Sequence, residues 1–277
     1  MNRDQPMLLD DIQVISLLED IYNAYGYDFR NYAVASLKRR LRHFMIINNI
    51  TTISHLRTNI FHDYECFNNL LLTLSVLVTS MFRDPDFYSA LRKKVIPMLH
   101  TYPFIRVWIA GCSTGEEAYS IAILLLEEEL YQRSIIYATD LNANVIDRAK
   151  AGIYSLSSME HYAKNYIQAG GKRAFSEYYA TDGDSAIIHS EIKKNIYFAR
   201  HNLVTDAGFN EFNLILCRNV MIYFNQSLQQ VTHKLIYKSL APFCFLALGN
   251  KESILFSPYE DRYIVVDEKE KIYKKGL

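Results

Sequence analysis

Little in this sequence would staple the chain, anchor it in a bilayer or draw it to a polyanion. Its four cysteines, Cys66, Cys112, Cys217 and Cys244, are far apart and form no Cys-x-x-Cys pair, so no disulfide framework is indicated and a reducing cytoplasm is the natural setting. The N-terminal MNRDQPMLLDD carries acids where a secretory signal needs an apolar run. The longest uncharged stretch, 66–82, is interrupted by Asn68, Asn69, Thr73, Ser75, Thr79 and Ser80 and falls short of the roughly 20 apolar residues of a membrane span. It reads instead as a buried helix running into a functional loop. Neither sign of charge is in excess, since Lys+Arg 30 balances Asp+Glu 30, which argues against a surface built for nucleic acid or anionic membrane. There is no internal repeat and no low-complexity segment. What remains is core material: half of the 277 residues are hydrophobic and 22% are charged, which excludes a disordered chain and suffices for one large domain or two smaller ones.

The apolar pattern changes part-way along. From residue 8 to about 78, apolar residues recur at helical spacing, as in Ile12, Ile15, Leu17 and Leu18, then Leu37, Leu41 and Phe44, then Leu70, Leu71, Leu74 and Leu77. They predict a small bundle of helices. Gly26 separates the first two, and Asn48-Asn49 with Thr51-Thr52 end the second. A further helix runs through DPDFYSALRKKVIPML. Beyond it IRVWIA, IIYATD, FNLILC and FCFLAL are short buried strands alternating with helices, and 262–267 with 271–274 form a terminal hairpin. That alternation predicts an α/β fold with a doubly wound, mostly parallel sheet covered on both faces. Residues 170–198 break the rhythm, and AIIHSE and NIYFAR read as an inserted antiparallel β-subdomain. The expected organisation is a helical domain over 1–78 and an α/β domain over 79–277.

The first α/β strand delivers the chain into Gly111-Cys112-Ser113-Thr114-Gly115-Glu116-Glu117, where a helix opens at once. Gly111 and Gly115 let a ligand approach backbone where a Cβ would collide. The spacing is neither G-x-G-x-x-G nor a P-loop, and two acids at a helix start repel phosphate. A ligand with an adenosine, a cationic amine and no phosphate fits better. Asp140, ending the second strand, stands where an acid grips ribose hydroxyls in doubly wound folds. S-adenosylmethionine has these features. Taken alone, the same residues serve equally well as a tight strand–helix connection with Asp140 as a helix cap.

Read together, YGYDFRNY with SLKRRLRHFM, VTSMFRDPDFY, VWIAGCSTGEEAYSIA, YATDLN, RAKAGIY, ARHNL, FNLILCRNVMIYF and LGNKES resemble, in order and spacing, the CheR family of chemotaxis-receptor methyltransferases. The resemblance spans about 25–253. It implies an N-terminal helical domain, a Rossmann-like methyltransferase domain and a small antiparallel subdomain. Carried over by position, cofactor contacts fall on Thr79, Arg83, Glu117, Asp140, Asn202, Leu203, Arg218 and Asn219, with Tyr223 near the transferred methyl. The sequence departs from the family at Leu77, at Met81-Phe82, at Ala118, at Ala241-Pro242-Phe243-Cys244 and at Gly249-Asn250-Lys251-Glu252-Ser253. Of these, Leu77 removes one expected cofactor hydrogen bond.

The resemblance implies transfer of a methyl group from S-adenosylmethionine to receptor glutamates, leaving S-adenosylhomocysteine. A glutamate with a pKa near 4.3 is already the nucleophile at neutral pH, so no general base and no metal are needed. Arg83 is the candidate to orient the acceptor carboxylate, and Tyr223 to flank the sulfonium. The bland readings are a surface ion pair to Asp84 or Asp86 for Arg83 and a core aromatic for Tyr223. Between Phe29 and His62 lie Arg30, Lys38, Arg39, Arg40, Arg42 and Arg57 and no acid. Lys38, Arg39 and Arg42 are the expected contacts for acidic, cytoplasmic receptor helices, although a solvated helix face explains such a run as well. The expected protein is a cytoplasmic monomer with no nucleic-acid partner and no membrane insertion. Its hairpin turn at 181–184 is short, so docking of a receptor tail is not assumed. The alternative is a degenerate methyltransferase that binds cofactor or receptor without turnover.

Overall fold

In the computed structural model, residues 9–74, 79–255 and 257–276 are described. The chain divides into two units, one holding residues 9–74 and 223–229, the other the remaining described residues.

Among the described residues, four helices lie wholly within the first unit: α1 (Asp11–Tyr25), α2 (Val34–Ile47), α3 (Ile53–His62) and α4 (Tyr64–Leu74). Gly26, at φ +74, ends α1 in the left-handed conformation that glycine adopts without strain. Thr52 starts α3 by accepting the His55 N–H on its hydroxyl at 3.1 Å. Val14, Leu17, Leu18 and Ile21 of α1 are buried with Leu37, Leu41 and Phe44 of α2 and Phe67, Leu70, Leu71 and Leu74 of α4. Ile12 and Ile15 were expected on that stripe, but they are 76% and 43% exposed. The buried face runs through 14, 17, 18 and 21, and a 3.6-residue period turns 12 and 15 away from it. The Ala33 N–H donates to the Tyr223 carbonyl at 2.9 Å, which ties residues 223–229 to this unit.

The second unit opens with a continuous helical run made of α5 (Pro85–Ala90), a π-helical turn over Leu91–Val95 and α6 (Ile96–Leu99). Pro97 has no N–H to offer the carbonyl four residues back, and the turn before it is the widened one. There follow β1 (Ile105–Ala110), α7 (Glu116–Glu127), β2 (Ser134–Asp140), α8 (Ala143–Ala151), β3 (Ile153–Ser155), α9 (Leu156–Gln168), β4 (Tyr179–Asp182), β5 (Ser185–Ile188), α10 (Ser190–Lys193), β6 (Ile196–Arg200) and β7 (Phe212–Cys217). The chain ends with α11 (Gln226–Ser239), β8 (Leu240–Leu248), β9 (Tyr263–Asp267) and β10 (Ile272–Lys275). The large sheet has the order β6-β2-β1-β7-β8-β10-β9. Its first five strands are parallel, and β10 closes it antiparallel to both β8 and β9. Because the crossover from β1 goes to β2 on one side while β7 and β8 lie on the other, the order reverses between β1 and β7. In such folds that is where a crevice opens at the strands' C-terminal ends.

The small sheet, β3-β5-β4, is antiparallel. Its membership corrects two expectations. NIYFAR is no part of it: β6 pairs in parallel with β2, Ile196 opposite Ile136 and Arg200 opposite Asp140. As an edge strand it buries Ile196 while Tyr197 is 56% exposed, so it carries the alternation that suggested a hairpin. The third strand of the small sheet comes from Ile153–Ser155, ahead of the 170–198 segment.

Candidate functional site

Three chain turns meet at the C-terminal edge of β2, β1 and β7. After β1, the Gly111 and Cys112 N–H groups both donate to the Thr139 carbonyl, at 2.8 and 2.9 Å. The turn then passes through three positive φ values, +85 at Gly111, +49 at Ser113 and +95 at Gly115. A Cβ on Gly111 would lie 2.4 Å from a methyl of Val220, so glycine is required there by packing as well as by backbone angle. A Cβ on Gly115 would press on Ala149 of α8 at 3.0 Å.

Asp140, at the end of β2, knits this turn together. One carboxylate oxygen accepts the Ser113 N–H at 2.9 Å and the other the Asn142 N–H at 3.1 Å. Asp140 does not itself cap α8, whose N-cap is Asn142, its side-chain oxygen accepting the Asn144 N–H at 2.9 Å. The Ser113 and Asn142 bonds use two of about four acceptor positions on an ionised carboxylate. Around it the Ser113 hydroxyl, the Asn142 side-chain NH₂ and the His201 Nδ1 are buried without a hydrogen-bond partner. Buried polar atoms of this kind call for a partner. The ribose diol and amine of S-adenosylmethionine carry the complementary groups, so the residues present fit that molecule. Burial raises the Asp140 pKa above the ordinary aspartate range, against the pull of its backbone N–H bonds.

Arg218 and Asn219 leave β7 at the same edge. The Arg218 side chain is only 1% exposed. It donates to Glu117 at 2.7 Å and to Asp84 at 2.8 Å, and lies 3.9 Å from the centre of the Phe87 ring. Burial works against its charge, but Glu117, Tyr88 and Asp84 together hold its pKa up. This guanidinium is thus engaged within the protein, positioning the Glu117 carboxylate at the first turn of α7. The trio has one negative charge in excess, which suits a cationic ligand.

The loop that carries Thr79 and Arg83 is held by its backbone. The Phe82 N–H donates to the Ser120 hydroxyl at 2.9 Å and the Met81 carbonyl accepts from Asn165 at 3.0 Å. Phe82 and Asp84 both have positive φ, +51 and +58. Two strained non-glycine residues in so short a segment are what a functional loop tolerates. Arg83 and Thr79 are half-buried beside them. Asn202 and Leu203 are buried just past β6, where the His201 N–H bonds the Asp140 carbonyl at 3.0 Å. Asn202 acts as a turn residue, its side-chain oxygen accepting the Val204 N–H at 2.9 Å. Leu77 lies outside the described residues.

Tyr223 packs within the helical unit, where the Arg40 guanidinium stands 4.5 Å over its ring. Arg40 is buried and also donates to the Leu74 carbonyl, so one of the six basic residues is no part of an outward face. Lys38 pairs with Asp11 at 2.6 Å, Arg57 with Asp20 at 2.7 Å and Arg30 with Asp28 at 2.8 Å. Arg39 is exposed and Arg42 half-buried. Three of the six basic residues of the acid-free stretch are thus paired in space with acids from outside it.

Two buried acids at this edge are not among the site residues expected from sequence. Glu116, 5% exposed, takes a hydrogen bond from Thr114 at 2.7 Å and lines a cavity of about 380 Å³ with Arg148, Tyr154 and Tyr162. Glu252, also buried, accepts four backbone N–H groups. Its signal was the LGNKES motif, where the acid follows three residues behind a glycine at a strand end.

Comparison with known proteins decides the family. The model of the CheR methyltransferase all-alpha domain matches residues 14–75, and that of the CheR methyltransferase SAM binding domain matches residues 77–271. The chain belongs to the CheR methyltransferase family. It is 50% identical over 266 residues to Cher3 of Pseudomonas putida, named as a methyltransferase, covering 96% of this chain and 97% of that one. It is 32% identical over 232 residues to the chemotaxis protein methyltransferase of Listeria monocytogenes, covering 83% and 86%. S-adenosylmethionine is the cofactor of this CheR domain. Among the described residues no helix is long and apolar enough to cross a membrane.

Proposed function

We propose that this CheR protein esterifies glutamate side chains of chemotaxis-type receptors, using S-adenosylmethionine as methyl donor. The observation that carries the reading is the match of both CheR domains in order along one chain. Relatives named chemotaxis protein methyltransferase support it. S-adenosylmethionine supplies an electrophilic methyl on a sulfonium. The acceptor oxygen gains the methyl, the S–C electron pair stays with sulfur, and no proton changes place. The protein's task is alignment, worth several kcal/mol when the reacting atoms are held in line.

In this reading Asp140 takes the ribose hydroxyls, Glu117 faces the cationic end, and Arg83 orients the acceptor carboxylate. Cys112, in the cofactor turn, is no rival nucleophile, since burial and the neighbouring Asp140 push its thiol well above its ordinary pKa. Tyr223 takes its role beside the methyl from the motif it matches, and Lys38, Arg39 and Arg42 theirs as receptor contacts. Turnover is favoured over a binding-only module because the altered late motif keeps Glu252, which bonds the backbone of the Asn219 turn.

Calorimetry with S-adenosylhomocysteine tests the cofactor assignment. Asp140→Ala removes a charged acceptor worth about 1.5–3 kcal/mol per hydrogen bond, so binding should fall at least about tenfold; unchanged affinity would remove Asp140 from the site. Arg83→Ala should stay folded and lose methyl transfer, and full activity in that variant would exclude Arg83 from the mechanism.

A further inference from the structure

We infer that Glu252 is a positioning residue of the methyl-transfer site, a carboxylate that locks the turns after β8, β7 and β1 into one stack. The inference rests on the cofactor-site reading above and adds a residue to it.

One oxygen of Glu252 accepts the Val220 and Met221 N–H groups at 2.8 and 2.7 Å. The other accepts those of Asn219 and Gly249, at 2.8 and 2.7 Å. Three successive N–H groups converging on one anion form a nest, which Asn219 makes possible by its φ of +61. Nests of this kind ordinarily hold external anions; here the chain fills its own. Glu252 reaches it because its backbone N–H bonds the Gly249 carbonyl at 2.8 Å, folding the residues after β8 into a turn. Gly249 is packed against the nest: a Cβ there would lie 2.8 Å from both the Asn219 nitrogen and the Glu252 carboxylate.

The consequence reaches the cofactor turn. Val220, whose N–H is held by Glu252, sets its side chain where a Cβ on Gly111 would be 2.4 Å away. The carboxylate therefore fixes Asn219 through its N–H, and fixes the wall against which Gly111 closes. A shift of about 1 Å in such a support can cost on the order of a hundredfold in function.

Glu252→Gln is the sharpest test, because it keeps shape but replaces one acceptor oxygen with an NH₂ that faces two N–H groups. It should weaken S-adenosylhomocysteine about ten- to a hundredfold, and the Asn219, Val220, Met221 and Gly249 amides should lose protection from hydrogen exchange. Glu127→Gln, at the far end of α7, serves as the stability control: it should lower Tm and leave that affinity in place. If Glu252→Gln does not fold, Gly249→Ala strains the same clamp and should weaken binding in the same way. Wild-type affinity in the folded variant, or an equal loss in Glu127→Gln, would overturn the inference. Asp140→Ala is run alongside: if it too leaves affinity unchanged, the cofactor-site reading has failed, whereas its loss with Glu252→Gln intact removes only the clamp.

Discussion

At the end of β7 a guanidinium is sealed from solvent between two carboxylates. Arg218 reaches Glu117 and Asp84 and has an aromatic ring beneath it, so every formal charge in the trio depends on the others. Removing one member of a buried ionic cluster costs more than the pair contributes, because the partners remain buried without compensation. Arg218→Ala should destabilise the protein by about 3–5 kcal/mol, measured by denaturant unfolding. Arg218→Lys should recover only part of the loss, since an ammonium lacks the planar fork that spans two acids. If both variants unfold like the wild type, the cluster is not holding the Asp84 loop to α7.

Helix α7 joins the cofactor turn at one end to the α9 region at the other, with a buried glutamate at each end. Burial raises the pKa of Glu116. At Glu127, bonds from Tyr166, the Lys172 N–H, Arg92 and Tyr178 outweigh burial and lower it. The two therefore act in opposite senses on stability. A raised folded pKa gives a contribution present below the unfolded value and lost as pH rises, so Glu116→Gln should gain on the wild type between pH 4 and 7. A lowered one gives a contribution present above the unfolded value and lost as pH falls through the folded one. Glu127→Gln should accordingly be weaker than wild type at pH 7, with the gap closing on acidification. Melting curves across that range decide both, and a Glu116→Gln curve parallel to the wild type would contradict the assignment.

Legibility in sequence followed burial at this same scale. β1, β2 and β7 are continuous apolar runs because the sheet covers them on both faces, and the glycine turn and Asp140 follow at their ends. β6 was misread because an edge strand alternates as a hairpin does. Arg218 is expected from sequence as a cofactor contact, and its burial is not legible there: its partners Glu117 and Asp84 come from 101 and 134 residues away. Glu252 belongs to a motif that departs from the family, and its bonds to the Asn219 turn form only because β8 lies beside β7.

Over the whole molecule, zero net charge conceals local pairing more than a charged face. Of the basic residues in the acid-free stretch, Arg30, Lys38 and Arg57 meet acids from outside it and Arg40 is buried. Recognition of an acidic helix would then rest on few groups, with Arg39 the most exposed of them. The central claim concerns chemistry, and incorporation of tritiated methyl from S-adenosylmethionine into receptor cytoplasmic fragments of the source organism tests it most directly. The label should enter the fragment and be released as volatile methanol by mild alkali, as a glutamate methyl ester requires, and should be absent with Asp140→Ala. Cofactor binding without incorporation, or label that survives alkali, would contradict the account.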